Sequence, residues 1–135
     1  MTGLVLKLGP KERILINGAV IENGERRSRL NVITPNAHIL RLKDAIHPHE
    51  VTTPVRRVCY IAQLALSGDA DIDEAQVQLR QGIHQLRAAL CDHDSLNRLR
   101  AAEEALDPPN FYRALKLLRG LLPREEELMS RMGKA

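Results

Sequence analysis

Aromatic residues are nearly absent from this chain. Tyr60, Phe111 and Tyr112 are the whole set, and there is no Trp. Residues 1–50 contain no Phe, Tyr or Trp at all. Sheet surfaces that hold single-stranded nucleic acid by stacking need aromatic rings on their strands. Any nucleic-acid contact made by this region must therefore rest on charge, backbone and hydrogen bonds. Cysteine is scarce too. Cys59 and Cys91 both fall in helical patterns, too few for a disulfide scaffold, and both are expected to be reduced and buried. Long apolar runs are missing, so no segment is expected to span a bilayer. The start, "MTGLVLKLGPK", lacks the basic flank and long apolar stretch of a secretory signal. The reading is a cytoplasmic protein with no membrane partner.

The signatures of chemistry are also missing. There is no GxSxG elbow, phosphate loop, dinucleotide fingerprint, CxxC pair or HExxH helix. His47-Pro48-His49 and Cys91-Asp92-His93-Asp94 offer metal-ligand types, but not the spacing of a metal site. Glu103-Glu104 and the triplet Glu125 to Glu127 read as solvated helix faces rather than an acid–base pair. No cofactor, metal or catalytic residue is expected, and nothing argues for an enzyme.

What is present is a core's worth of apolar residues, 44% of the chain, with 27% charged. The charge is unevenly placed. Residues 1–43 hold eight Lys/Arg and three Asp/Glu, a balance of +5, whereas residues 44–135 hold twelve and fourteen, a balance of −2. A basic front half points to an anionic partner.

The front half alternates with period 2. "LVLKL", "ERILI", "AVIE", "RRSRLNVI" and "HILRL" read as short strands, separated by Gly9-Pro10-Lys11, Asn17-Gly18, Asn23-Gly24 and Thr34-Pro35-Asn36. Both Asn-Gly pairs suit two-residue type I′ hairpins, which would place Gly24 at positive φ. The expectation is an antiparallel β-meander, a small sheet or open barrel. Its exposed face would gather Lys7, Arg13, Arg27, Arg29, Arg41 and Lys43. Two readings of that face stand side by side: a solvated sheet surface or an RNA-binding surface.

From Thr53 onward the period becomes 3.6. Thr53 is a candidate N-cap with Pro54 at the first helical position, and Gly68 a C-terminal stop. Asp69 or Asp71 opens a second helix with the stripe Ile72, Ala75, Leu79, Ile83, Leu86 and Leu90. Asp94 or Ser95 opens a third, with Leu96, Leu99, Ala102 and Leu106. A fourth buries Phe111, Ala114, Leu115, Leu118 and Leu122. Pro123 opens a last, acidic turn. Tyr112, Lys116 and Arg119 share a face beside the fourth stripe. They read as an ordinary amphipathic surface or as a partner-contacting one, Tyr and Arg being common interface anchors. The fold class is thus α+β: a basic antiparallel β subdomain over 1–46 and a helical subdomain over 50–135, expected to form one compact unit.

Three stretches, "LVLKLGPKERILINGAVIENGERRSRL", "ILRLKDAIHPHEVTTPVRRVCY" and "FYRALKLLRGLL", resemble the FlbT family of flagellin post-transcriptional regulators (flagellum biosynthesis repressors) of alphaproteobacteria. "NGAVIENGERR" and "TPVRRVCY" are the most specific parts. "GPKER" stands where the family often has a Pro-Gly-Glu turn. The resemblance implies a non-enzymatic regulator acting on the 5′ untranslated region of flagellin mRNA, altering its translation and stability, with the small protein FlaF in the same circuit. The alternative is an adaptor or chaperone-like regulator that works through flagellin or FlaF without touching RNA. Open strand edges also leave room for a homo-oligomer.

Overall fold

The computed structural model describes residues 4–17, 19–35, 37, 39–41 and 45–132. The chain divides into two compact units, residues 1–45 and 46–135. Antiparallel strands form small sheets in the first and helices make up the second, so the class is α+β.

In the first unit the strands are β1 (Leu4–Leu8), β2 (Arg13–Ile16), β3 (Ala19–Glu22), β4 (Ser28–Val32) and β5 (Ile39–Arg41). They form two sheets. β1 pairs with β4, and β2 lies between β3 and β5. One cluster joins them: Leu6, Leu8 and Ile14 are buried, with Ile16, Leu30, Val32 and Ile39 packed on them. Alternation then sends Val5, Lys7, Arg29 and Asn31 outward from the β1–β4 pair.

The strand order is not a meander, and the two Asn-Gly pairs explain why. The first behaves as expected. Ile16 pairs with Ala19, leaving a two-residue loop, and Asn17 has φ 49°, as a type I′ turn requires. Gly18, the second loop residue, lies outside the described residues. The second pair makes no hairpin. Among the described glycines only Gly68 has positive φ, so the expectation for Gly24 fails, and a Cβ there would meet nothing within 4 Å. The chain uses Asn23 instead. Its Nδ2 donates to the Gly9 carbonyl at 2.6 Å and the Arg26 carbonyl at 3.0 Å, and its Oδ1 accepts from Ser28 Oγ at 2.7 Å. Its backbone N–H continues the β2–β3 ladder to the Glu12 carbonyl at 2.8 Å. Asn23 thereby ties the end of β1, the start of β4 and the exit of β3 together.

The turn between β1 and β2 closes through Glu12 N–H to the Gly9 carbonyl, 3.2 Å, and Gly9 N–H to Glu12 Oε1, 2.9 Å. Lys11 sits there at φ 60°. Proline followed by a residue at positive φ is the type II pattern, whose second position favours Gly. That is the place of the glycine in the Pro-Gly-Glu turn of the resembled family.

The second unit has a 3-10 turn, Pro48–Glu50, then α1 (Pro54–Ser67), α2 (Ile72–Ala89), α3 (His93–Glu104), α4 (Phe111–Arg119) and α5 (Leu122–Met132). α1 packs on α2 and α4, and α3 on the same two. Val55, Val58, Cys59 and Ala62 of α1 meet a core that includes Leu79, Ile83, Leu99, Leu106, Leu115 and Leu118. Thr53 and Asp71 cap α1 and α2, and Gly68 ends α1 at φ 82°. α3 is capped by Asp92, not Asp94 or Ser95. Asp92 Oδ2 accepts from Ser95 N–H and Oγ–H, which leaves Ser95 buried. Ile72 is 52% exposed because it opens α2 ahead of the packed turns. Leu122 begins α5 rather than ending the α4 stripe. Cys59 is buried as expected but Cys91 is exposed, lying past the end of α2.

Glu125 also departs from its expected solvated place. It is buried. Its carboxylate accepts from Val55 N–H at 2.8 Å and from Thr53 Oγ at 2.5 Å. It thus satisfies the open N-terminus of α1 from α5. No helix among the described residues is long and apolar enough to cross a membrane.

Two expectations follow for stability. Asn23→Ala should cost about 2–3 kcal/mol, since several hydrogen bonds near 1 kcal/mol each are lost together. Gly24→Ala should be neutral or gain up to about 1 kcal/mol by restricting the unfolded chain. Urea midpoints of the two variants check this, and equal midpoints would contradict it. In the helical unit, Glu125→Ala should cost about 2–3 kcal/mol by stranding a buried N–H and hydroxyl. Glu126→Ala should stay within about 0.5 kcal/mol.

Candidate nucleic-acid interface

Strand pairing sets Lys7 directly opposite Arg29 on the outer face of the β1–β4 sheet. Like charges placed opposite one another destabilise a ladder. Arg27, two residues before Arg29, adds a third cation. These side chains line an open groove of about 510 Å³, shared with Glu12, Ser28 and Arg41. No ion pair to Lys7, Arg27 or Arg29 is present among the described residues. All three are exposed. The groove thus holds four cations against one carboxylate.

The remaining expected cations are arranged differently. Arg13 belongs to the other sheet, one residue before the core residue Ile14 and so on the opposite face of β2. It pairs with Glu22 across the ladder, Nε to Oε1 at 2.9 Å. Arg41 is on the inner side, opposite Ile14. Its Nη2 donates to the Lys7 carbonyl at 2.9 Å and its Nη1 lies 3.4 Å from Glu12 Oε2. Arg41 therefore braces the groove from below while its charge is largely answered by Glu12. Lys43 lies outside the described residues. Of the five expected cations that are described, Lys7, Arg27 and Arg29 lie together with Arg41 beneath them, and Arg13 is on the other sheet.

The sequence reading missed Glu12 and Asn23 as groove-builders. For Asn23 the alternation misled: the stretches "AVIE" and "RRSRLNVI" leave three residues between them, whereas five separate β3 from β4, too many for a two-residue hairpin.

In the helical unit Tyr112, Lys116 and Arg119 do share a face. Lys116 Nζ lies 5.5 Å from the centroid of the Tyr112 ring, within cation–π reach. Tyr112 and Arg119 are half-buried. The positive charge of Arg119 is felt at Cys59, but burial dominates and pushes that thiol up to about 12. Cys59 is inert packing, not a nucleophile.

His47 and His49 stack with ring centroids 5.5 Å apart. Glu50 accepts from the His47 backbone N–H at 3.0 Å, the main reason its carboxyl is held below the usual range. Among the described residues no group of three His, Cys, Asp or Glu side chains could hold a metal ion.

Comparison with known proteins gives the family. The family model described as "Flagellar protein FlbT" matches residues 4–129. Proteins named "Probable flagellum biosynthesis repressor protein FlbT" from Brucella ovis and Brucella melitensis are each 32% identical over 128 residues, covering 95% of this chain and 83% of theirs. The Brucella anthropi protein of the same name is 32% identical over 124 residues, covering 92% and 80%. No solved structure matches. With a family match spanning both the strand unit and all but the end of the last helix, this chain belongs to the FlbT family of flagellar proteins.

Proposed function

We propose that this protein regulates flagellum biosynthesis after transcription, by binding the 5′ untranslated region of flagellin mRNA and altering its translation and stability. Repression is the direction carried by the names of its Brucella relatives. The observation that carries RNA contact is the Lys7–Arg29 pair held face to face, with Arg27 beside it and no carboxylate on any of the three among the described residues. Such a cluster is costly unless an anion neutralises it. Arg forks to phosphate oxygens with two hydrogen bonds, and Lys meets them as a point charge.

The same arrangement sets the character of binding. Without aromatics in the strand unit, bases have no ring to stack on, so affinity comes mainly from phosphate contact and is strongly salt-dependent. Asn31 stands beside the cations on the outer face and supplies a polar group for any base preference. Arg13 and Arg41 contribute little, since each has its own carboxylate.

Each cation neutralises about one phosphate, and for single strands log affinity falls with log salt by roughly 0.7 per phosphate. Converting Lys7, Arg27 and Arg29 together to Glu should flatten that slope by about 2 and sharply weaken binding at low salt. The loss should be similar for flagellin leader and control RNA, because phosphate contacts carry little sequence information. Arg13→Glu should leave the slope nearly unchanged. Fluorescence anisotropy at a series of salt concentrations measures both. A folded triple variant with wild-type affinity and slope would reject direct RNA contact. It would favour an adaptor working through flagellin or FlaF at Tyr112, Lys116 and Arg119.

A further inference from the structure

One strand of the first unit has an unprotected edge. β3 is outermost in the order β3–β2–β5, and all four of its residues are exposed, with Val20 at 52% and Ile21 at 39%. Edge strands carry a row of unpaired backbone groups, and soluble proteins usually blunt them with Pro, free charge or a bulge. β3 has neither Pro nor free charge. Its one charged residue, Glu22, is already neutralised by Arg13.

Charge decides which edges a second copy could approach. β1 and β4 present Lys7, Arg27 and Arg29 without carboxylates among the described residues, so two copies repel there. The β3 edge is apolar and charge-balanced. Register supports the same choice. A two-fold axis perpendicular to the sheet keeps inner and outer faces continuous only if it passes through a residue, because side chains alternate with period 2. Centred on Val20, the pairing sets Val20 against Val20 and Ala19 against Ile21, all apolar. Centred on Ile21, it sets Glu22 against Val20, which is worse. Val20 also stands in one row with Leu15 and Leu40. The Val20-centred pairing would double that row into a continuous apolar strip.

We propose that β3 is a homodimerisation edge, at which two copies of this chain pair antiparallel about Val20 and merge their three-stranded sheets into one. The inference is independent of RNA and goes beyond the regulatory reading. The dimer would bring together two basic grooves, one on the β1–β4 sheet of each copy, and a single leader RNA engaging both would gain avidity.

Sedimentation of the full chain from low micromolar to hundred-micromolar concentration tests this. Wild type should show a concentration-dependent dimer. Val20→Lys sets two ammonium groups opposite each other and should weaken self-association by about tenfold or more, with unchanged helical circular dichroism. In a Cys91→Ser background, Val20→Cys should cross-link between copies on mild oxidation, and Leu4→Cys should not. The cross-link decides the matter should Val20→Lys fold poorly. A monomer throughout the range, a dimer indifferent to Val20→Lys, or equal cross-linking at Leu4 overturns the proposal.

Discussion

The carboxamide of Asn23 is the contact on which the strand unit depends. The chain must leave the β3–β2–β5 sheet and enter the β1–β4 sheet within a few residues, and backbone groups at such a crossing have no ladder partners. A side chain with two donors and an acceptor can meet them. Asn23 binds the Gly9 and Arg26 carbonyls and the Ser28 hydroxyl. That fixes where β4 starts relative to β1. The start fixes the register, and the register sets Lys7 opposite Arg29. A slip of one residue would turn Arg29 into the core.

The electrostatics of the unit divide cleanly. Arg13 and Arg41 have carboxylates placed for them, Glu22 across the ladder and Glu12 at the turn. Lys7, Arg27 and Arg29 have none among the described residues. A sheet that needed cations only for solubility would gain by interspersing signs. Lys11 and Arg26 are also exposed without an ion pair among the described residues, but Lys7, Arg27 and Arg29 gather in one groove, and such a local concentration of like charge favours an anion. The shortage of aromatics leaves the described strands without rings for base stacking.

Much of this was readable in the sequence, and the limits have physical causes. Strand extents followed from alternation, and all five strands lie within the stretches so read. The grouping of Lys7, Arg27 and Arg29 followed too, because β1 and β4 turned out to be neighbours. Arg13 and Arg41 share a face with Lys7 only if all the strands form one sheet. Which sheet a strand joins is a tertiary matter that period 2 does not encode. Asn23-Gly24 looked like a second hairpin because Asn suits both a type I′ turn and a side-chain bracket, and only the loop length separates the two. In the helical unit, periodicity set the core stripes and the shared face of Tyr112, Lys116 and Arg119. Glu125 was unreadable, since the N–H it caps belongs to Val55, 70 residues away. Asp92 was one of several good N-cap types in a row, and propensity alone could not choose among them.

The central claim is that the groove of Lys7, Arg27 and Arg29 receives the RNA backbone. The most direct measurement is a nuclear magnetic resonance titration of the labelled protein with flagellin leader RNA, following backbone amides together with Arg Nε–H and Lys Nζ groups. The account predicts saturable shifts concentrated at Lys7, Leu8 and Arg27 to Arg29, with Arg13 and the helices from Pro54 onward little changed. Shifts confined to residues 46–132, or none at all under low salt, would contradict it.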